Sequence, residues 1–385
     1  MKNLLKLIVI SISIISIQNT FLSNIFYQLN KDKKGQNLII SPLSIYQVLS
    51  LLSNGARGET LNEMLEVLGS PNTDDLNYIN EKKIINIITQ FSTLDIANAI
   101  MTKCEPTKSL LLYAKAYSAN VELLENVEQV NNWCSENTHG KINQIIEELD
   151  PNTVMILLNA VYFKGKWVYP FEKYVNQKLP FYNLGKDKIL LDTMIQEETF
   201  NYYQDSEVQI VELPFEEDLM SAIIILPSEN IEINKYIKTS LSKINELINK
   251  SNYVKVHLEL PKFELEFDEN INDALKKLGM KKIFDNKKAD LSGLCKDRND
   301  LFVDSVIHKT YLKVNEDGTE AAAITAVIAE LLSVYDSNKK EELIYRMIVN
   351  RPFLFLLKNS RLPEGYNMVF ISKIEKIEKE NILIN

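Results

Sequence analysis

Three histidines, His139, His257 and His308, are the only imidazoles this chain of 385 residues offers as general bases. There is no Gly-x-Ser-x-Gly elbow, no His-Glu-x-x-His pair, no phosphate loop ending in Gly-Lys and no Gly-x-Gly-x-x-Gly turn. Nucleophilic, zinc and nucleotide chemistry therefore lack their usual sequence frames, and the chain reads as a protein that is not an enzyme. Cys104, Cys134 and Cys295 are odd in number and widely spaced, which reads as small buried hydrophobes rather than a disulfide framework or a zinc site. No metal and no cofactor is signalled. The informative chemistry lies instead in a segment on which another protein's chemistry can be done, Asn315-Glu316-Asp317-Gly318-Thr319-Glu320-Ala321-Ala322-Ala323-Ile324-Thr325-Ala326-Val327. Glu-Asp-Gly starts a loop, because glycine tolerates backbone angles closed to other residues. Beyond it Thr319, Ala321, Ala323, Thr325, Val327 and Ala329 fall on one side of an extended chain, a face of small or β-branched residues able to slide between existing strands. The same alanine-rich run also suits a short helix, and periodicity alone leaves both open.

The flanking elements favour the strand. Residues 301–314 lead in and 350–357 lead out, both strand-like. Elsewhere helical patterns occupy 43–54, 60–68, 127–134, 240–249 and 271–278, the last with Asp268 and Asn270 as capping candidates and Gly279 as its stop. Residues 154–164 and 221–226 are continuous apolar runs, as in strands buried on both faces. Val254, Val256, Leu258 and Leu260 alternate with polar residues, and the alternation resumes after Pro261. Separate helices and long strands imply an α+β fold with more than one sheet. Hydrophobic residues make up 45% of the chain and no Pro/Gly/Ser-rich linker divides it, so one large domain is expected. Net charge is −9, with 43 basic residues scattered among 52 acidic ones, which argues against nucleic acid as a partner.

An ordered series of motifs resembles the serpin family, the serine protease inhibitors, over nearly the whole chain. It runs through residues 37–45 (NLIISPLSI), 54–60 (NGARGET), 132–142 (NWCSENTHGKI), 158–167 (LNAVYFKGKW), 211–215 (VELPF), 260–263 (LPKF), 289–294 (ADLSGL), 350–357 (NRPFLFLL) and 368–371 (MVFI). Each is weak alone; the order is specific. The resemblance implies a fold of about nine helices and three β-sheets with an exposed reactive loop, about residues 318–350, that inserts into the central sheet. It assigns a hinge to Glu316, Gly318, Thr319, Glu320, Ala321, Ala322 and Ala323. It assigns a shutter, where the central strands part, to Ser41, Ser44, Asn159 and His308, and a breach at the top of the sheet to Trp167, Lys262 and Glu316. Hydroxyls, an amide and an imidazole can exchange donors and acceptors as a strand enters, which suits the shutter set to its role.

The activity implied is suicide inhibition, without a cofactor, with a target serine protease held as a covalent acyl complex by an inhibitor expected to be a monomer. Counting sixteen residues forward from Glu316, the family's spacing, puts the scissile bond at Leu332–Ser333. Leucine there suits a chymotrypsin-like or cathepsin-G-like protease with an apolar pocket. Counting back from Arg351-Pro352-Phe353 points instead near Lys339 or Lys340 and a trypsin-like target; the forward count is preferred because sheet height limits insertion while the trailing side can loop freely. The alternatives are an inhibitor of cysteine proteases or a non-inhibitory serpin-fold binding protein. Ser372 stands where the family usually has glycine and poses a packing question. Residues 71–95 carry only Lys82 and Lys83 as basic residues, so no strong glycosaminoglycan site is expected. Residues 1–16, a basic start followed by a short apolar run, read as a signal peptide preceding a single domain of residues 17–385, and hence as a secreted, extracellular protein with no membrane span. Asn249-Lys250-Ser251 is a possible glycosylation triplet.

Overall fold

The computed structural model describes residues 21–378 apart from Ile142, Asp218, Asp297, Asn299 and the stretch 320–342. Its strands, in chain order, are β1 (Leu38–Ile40), β2 (Leu94–Thr102), β3 (Asn120–Leu123), β4 (Met155–Phe163), β5 (Gly165–Lys166), β6 (Gln177–Asn183), β7 (Asp187–Gln204) and β8 (Val208–Pro214). They continue as β9 (Met220–Pro227), β10 (Asn252–Pro261), β11 (Phe263–Asn270), β12 (Ser305–Asn315), β13 (Gly318–Thr319), β14 (Tyr345–Ile348), β15 (Phe353–Asn359) and β16 (Met368–Ile374). One sheet has seven strands in the order β3-β2-β4-β12-β13-β5, with β11 against β12; the other has nine, β1-β16-β15-β9-β8-β7-β10-β14, with β6 against β7. The α+β architecture is as expected, but the described residues form two sheets rather than three. The reason is β7. Its residues pair with β6 near one end, with β10 along the middle and with β8 at the other end, so one continuous strand joins them all in a single sheet.

The helix Pro42–Ser53 lies between the sheets, packed on β2, β4 and β16, and every one of its residues is buried. Its start is set locally: Ser41 Oγ accepts from the Ser44 backbone N–H, and Pro42 occupies the first turn, where a missing N–H costs nothing. The expected helix at 60–68 is seen as Gly58–Leu68 and the one at 127–134 as Val127–Asn137. Residues 240–249 instead divide into a 3-10 turn, Leu241–Lys243, and the helix Ile244–Ile248, following a separate helix Ile233–Ser240. The helix Asn272–Leu278 ends at Gly279 as expected, and Asn270 Oδ1 accepts from the Asn272 N–H at 2.9 Å; Asp268 does not cap but pairs with Lys309 at 2.9 Å. Helices without a counterpart among the sequence expectations include Lys108–Ala116, Ile233–Ser240 and a continuous run from Thr73 to Ile88 that is π-helical over Ile79–Ile85.

The cysteine reading needs correction. Cys104 and Cys295 form a disulfide, with Cα atoms 6.0 Å apart across a sequence separation of 191, and only Cys134 is a free, buried thiol, pushed up to about 12 by burial. The pairing is set by tertiary structure: Pro106 bridges to Cys295 and the Thr107 N–H donates to Leu294 O, which bring two remote loops together.

Candidate functional site: the shutter and the hinge

Across the seven-stranded sheet, Asn98 of β2, Asn159 of β4 and His308 of β12 stand in one row, because Asn98 and Asn159 are partners in the antiparallel β2·β4 ladder and Asn159 and His308 in the parallel β4·β12 ladder. The four shutter residues read from the sequence meet here. His308 Nε2 accepts from the Ser41 backbone N–H at 3.0 Å, so its proton resides on Nδ1, which donates to Asn159 Oδ1. Ser44 Oγ donates to the same oxygen at 2.7 Å, and Asn159 Nδ2 passes the chain on to Asn98 Oδ1 at 2.6 Å. Complete burial pushes the imidazole down to about 3, so His308 is neutral and bonded through both nitrogens. Asn98 was missed; the signal was a lone amide within the apolar run Ile96-Ala97-Asn98-Ala99-Ile100. Thr310 was missed too, and its hydroxyl donates to Ile39 O at 3.1 Å, tying β12 to β1.

At the top of the same sheet the chain from Asn315 to Thr319 is gripped on several sides. The Trp167 indole lies stacked on Phe215 with ring centroids 4.3 Å apart, and its Nε1–H donates to Asn315 O at 2.9 Å. The Trp167 backbone N–H donates to Asp317 O at 3.1 Å and the Phe171 N–H to Glu316 O at 2.9 Å. Lys262 Nζ stands 3.2 Å from Glu316 Oε1, so the breach set is brought together. Glu316 is only 8% exposed. Burial works to raise its pKa, but its own backbone N–H, Lys262 and Asn176 outweigh that and hold the carboxyl below the usual range. Lys173 adds a second, more exposed ion pair to Asp317 at 2.9 Å.

Gly318 and Thr319, as β13, already lie inside the sheet, antiparallel to β12 on one side and to β5 on the other. Gly318 has φ of +144°, and a Cβ there would stand 2.0 Å from Gly165 O, so no other residue fits without movement of the strand. Thr319 is completely buried, and its hydroxyl accepts from the Gly165 N–H at 2.9 Å. Below this point β4 and β12 pair directly in parallel, from Ser305 opposite Ile156 to Tyr311 opposite Tyr162. Glu320, Ala321, Ala322, Ala323, the bond Leu332–Ser333 and residues 1–16 lie outside the described residues. Asn249 is exposed just after the helix Ile244–Ile248. Ser372 is fully buried, and its hydroxyl has no hydrogen-bond partner among the described residues. Among the described residues no helix is long and apolar enough to cross a membrane.

A two-sheet scaffold with a hydrogen-bonded row beneath a partly seated hinge defines a class of protein, and the comparisons agree with it. The family "Serpin (serine protease inhibitor)" matches residues 16–374, and the chain belongs to the serpin family. Serpin B11 of Mus musculus is 32% identical, covering 92% of this chain and 96% of its own. Leukocyte elastase inhibitor of Xenopus laevis is 32% identical, covering 88% and 94%, and intracellular coagulation inhibitor 2 of Tachypleus tridentatus is 32% identical, covering 89% and 86%. Among solved structures, the thermophilic serpin Tengpin in its native state superposes with a TM-score of 0.83 at 30% identity, over 94% of each chain. These relatives correct the expectation of secretion: one that matches across most of the chain is named an intracellular inhibitor.

Proposed function

We propose that this serpin inhibits a serine protease with an apolar primary pocket, chymotrypsin-like or cathepsin-G-like, by presenting Leu332–Ser333 as a scissile bond. The protease serine attacks the Leu332 carbonyl, the Ser333 amine leaves with a proton from the protease's general acid, and Leu332 remains as an ester on the enzyme. The observation that carries the reading is the position of β13. Gly318 and Thr319 have begun a strand antiparallel to both its neighbours, directly above a closed parallel seam between β4 and β12. Continued insertion replaces one parallel ladder by two antiparallel ones, and antiparallel pairing is the stronger per residue. Extending the register of Thr319 opposite Gly165 down β4 sets Ala329 opposite Met155 and Leu332 just past the strand's end. This supports the cut at Leu332 over one near Lys339 or Lys340, which would leave a long unpaired tail. The inserted run of sixteen residues, about 50 Å at ~3.3 Å each, carries the acyl-linked protease to the far end of the sheet and drags its serine from its base and oxyanion hole.

The test is incubation with a chymotrypsin-like protease. The expected result is an adduct that survives boiling in detergent and a released peptide beginning at Ser333, with Leu332→Arg transferring inhibition to a trypsin-like protease. A cut after Lys339 or Lys340 refutes the bond assignment, and cleavage with no adduct points to the non-inhibitory alternative.

A further inference from the structure

Where the seam between β4 and β12 begins, one side chain reaches across it. Asp304, the residue before β12, is half-buried, and its Oδ2 accepts from the Val154 N–H at 2.8 Å and from the Met155 N–H at 2.9 Å. Its own backbone N–H donates to Met155 O at 3.0 Å. On the other side it is fixed to β12 and to the helix Asn272–Leu278: Asn272 Nδ2 donates to Asp304 O at 2.7 Å, and Asn272 Oδ1 accepts from the Val306 N–H at 2.9 Å. Asp304 therefore travels with β12 while it grips β4. Its grip is firm, because hydrogen bonds from amides to an ionised carboxylate are stronger than neutral ones. The groups it holds are those an entering strand needs: Met155 turns both its N–H and its C=O towards the seam, and Asp304 takes both.

We propose that Asp304 is a positioning residue for loop insertion, a latch at the foot of the sheet that holds the Met155 backbone until the last residues of the loop to enter displace it. The role rests on the proposed loop insertion and not on which protease is trapped. The register that sets Thr319 opposite Gly165 also sets Ala329 opposite Met155. An antiparallel partner there takes the same N–H and C=O that Asp304 now occupies. A strand between β4 and β12 moves them from about 4.8 Å to about 10 Å apart, further than the single methylene of an aspartate spans, so its three bonds to β4 break together. The latch stabilises the intact chain alone and contributes nothing once insertion is complete, whereas an ordinary strand-end cap would serve both states.

The test compares melting curves of the intact chain with those of the chain cut within its loop beyond Ala329, the cut being located by sequencing, for the unaltered protein and for Asp304→Ala. Cutting the unaltered chain is expected to raise Tm sharply, as a ladder of backbone hydrogen bonds is added. Asp304→Ala is expected to lower the Tm of the intact chain by roughly 2–5 °C and that of the cut chain by less than about 1 °C. Asp304→Asn keeps a neutral acceptor in place of the carboxylate. It is expected to shift the intact chain in the same direction by about half as much, and it supplies the comparison if the alanine variant does not fold. A loss in the cut chain as large as in the intact one, or no loss in the intact one, overturns the latch while leaving insertion in place. If cutting the unaltered chain does not raise Tm, insertion itself fails and the latch falls with it.

Discussion

Replacing Thr319 by arginine tests the hinge at its most constrained point. Thr319 is completely buried between Val314 and Gly165, and its hydroxyl is the acceptor for the Gly165 N–H. Thr319→Arg leaves that buried N–H unanswered, a loss of about 1–3 kcal/mol. An unpaired guanidinium forced into the sheet costs about 3–5 kcal/mol more, unless the hinge leaves the sheet and takes the charge with it. Even a conservative ~3 kcal/mol on the first step of insertion slows it about 150-fold, since 1.4 kcal/mol is a factor of ten. Insertion competes with deacylation, so an inhibitor that traps about one protease per molecule becomes a substrate that is cut at the same bond and releases active enzyme. The assay titrates residual protease activity against inhibitor and runs the products on a denaturing gel. Thr319→Val, which removes the hydroxyl but keeps the shape, is expected to raise the stoichiometry only a few-fold. If Thr319→Arg still inhibits mole for mole, this residue is not the leading edge of insertion and the reasoning fails.

Gly318→Ala is expected to expel β13, because the new methyl would collide with Gly165 O at 2.0 Å and the backbone φ of +144° is strained for alanine, at about 1–3 kcal/mol. The check is a red shift of Trp167 emission in a Trp133→Phe background, as Trp167 loses its bond to Asn315 O; unchanged emission would count against the hinge geometry. His308 should make stability pH-dependent. Its folded pKa, about 3, lies below the unfolded value of 6.5, so the unfolded chain binds more protons between these limits. Its contribution is therefore complete above pH 6.5 and is lost as pH falls towards 3, by up to ~1.4 kcal/mol per unit. Denaturant midpoints at several pH values should show a shallower acid slope for His308→Gln than for the unaltered chain. Removing the Cys104–Cys295 bond with serines should lower Tm: its loop of 191 residues corresponds to about 5 kcal/mol by chain entropy, an upper bound beside the usual ~2–4 kcal/mol. An unchanged Tm on reduction would mean the bond constrains nothing.

Local chemistry made much of this protein legible in its sequence. Ser41 and Pro42 announce the buried helix, and alternation marks β10 and β11, because capping and pleat act over a few neighbouring residues. The ordered motifs carried the hinge, shutter and breach residues with them. What sequence could not supply was anything fixed by which remote segments meet. Cys104 finds Cys295 only because two loops converge, β7 fuses two expected sheets by its length, and Glu316 is buried because Trp167, Phe171 and Asn176 close around it. Asn98 enters the shutter only through its register opposite Asn159. Burial and pairing are properties of what packs against a residue and not of the residue itself.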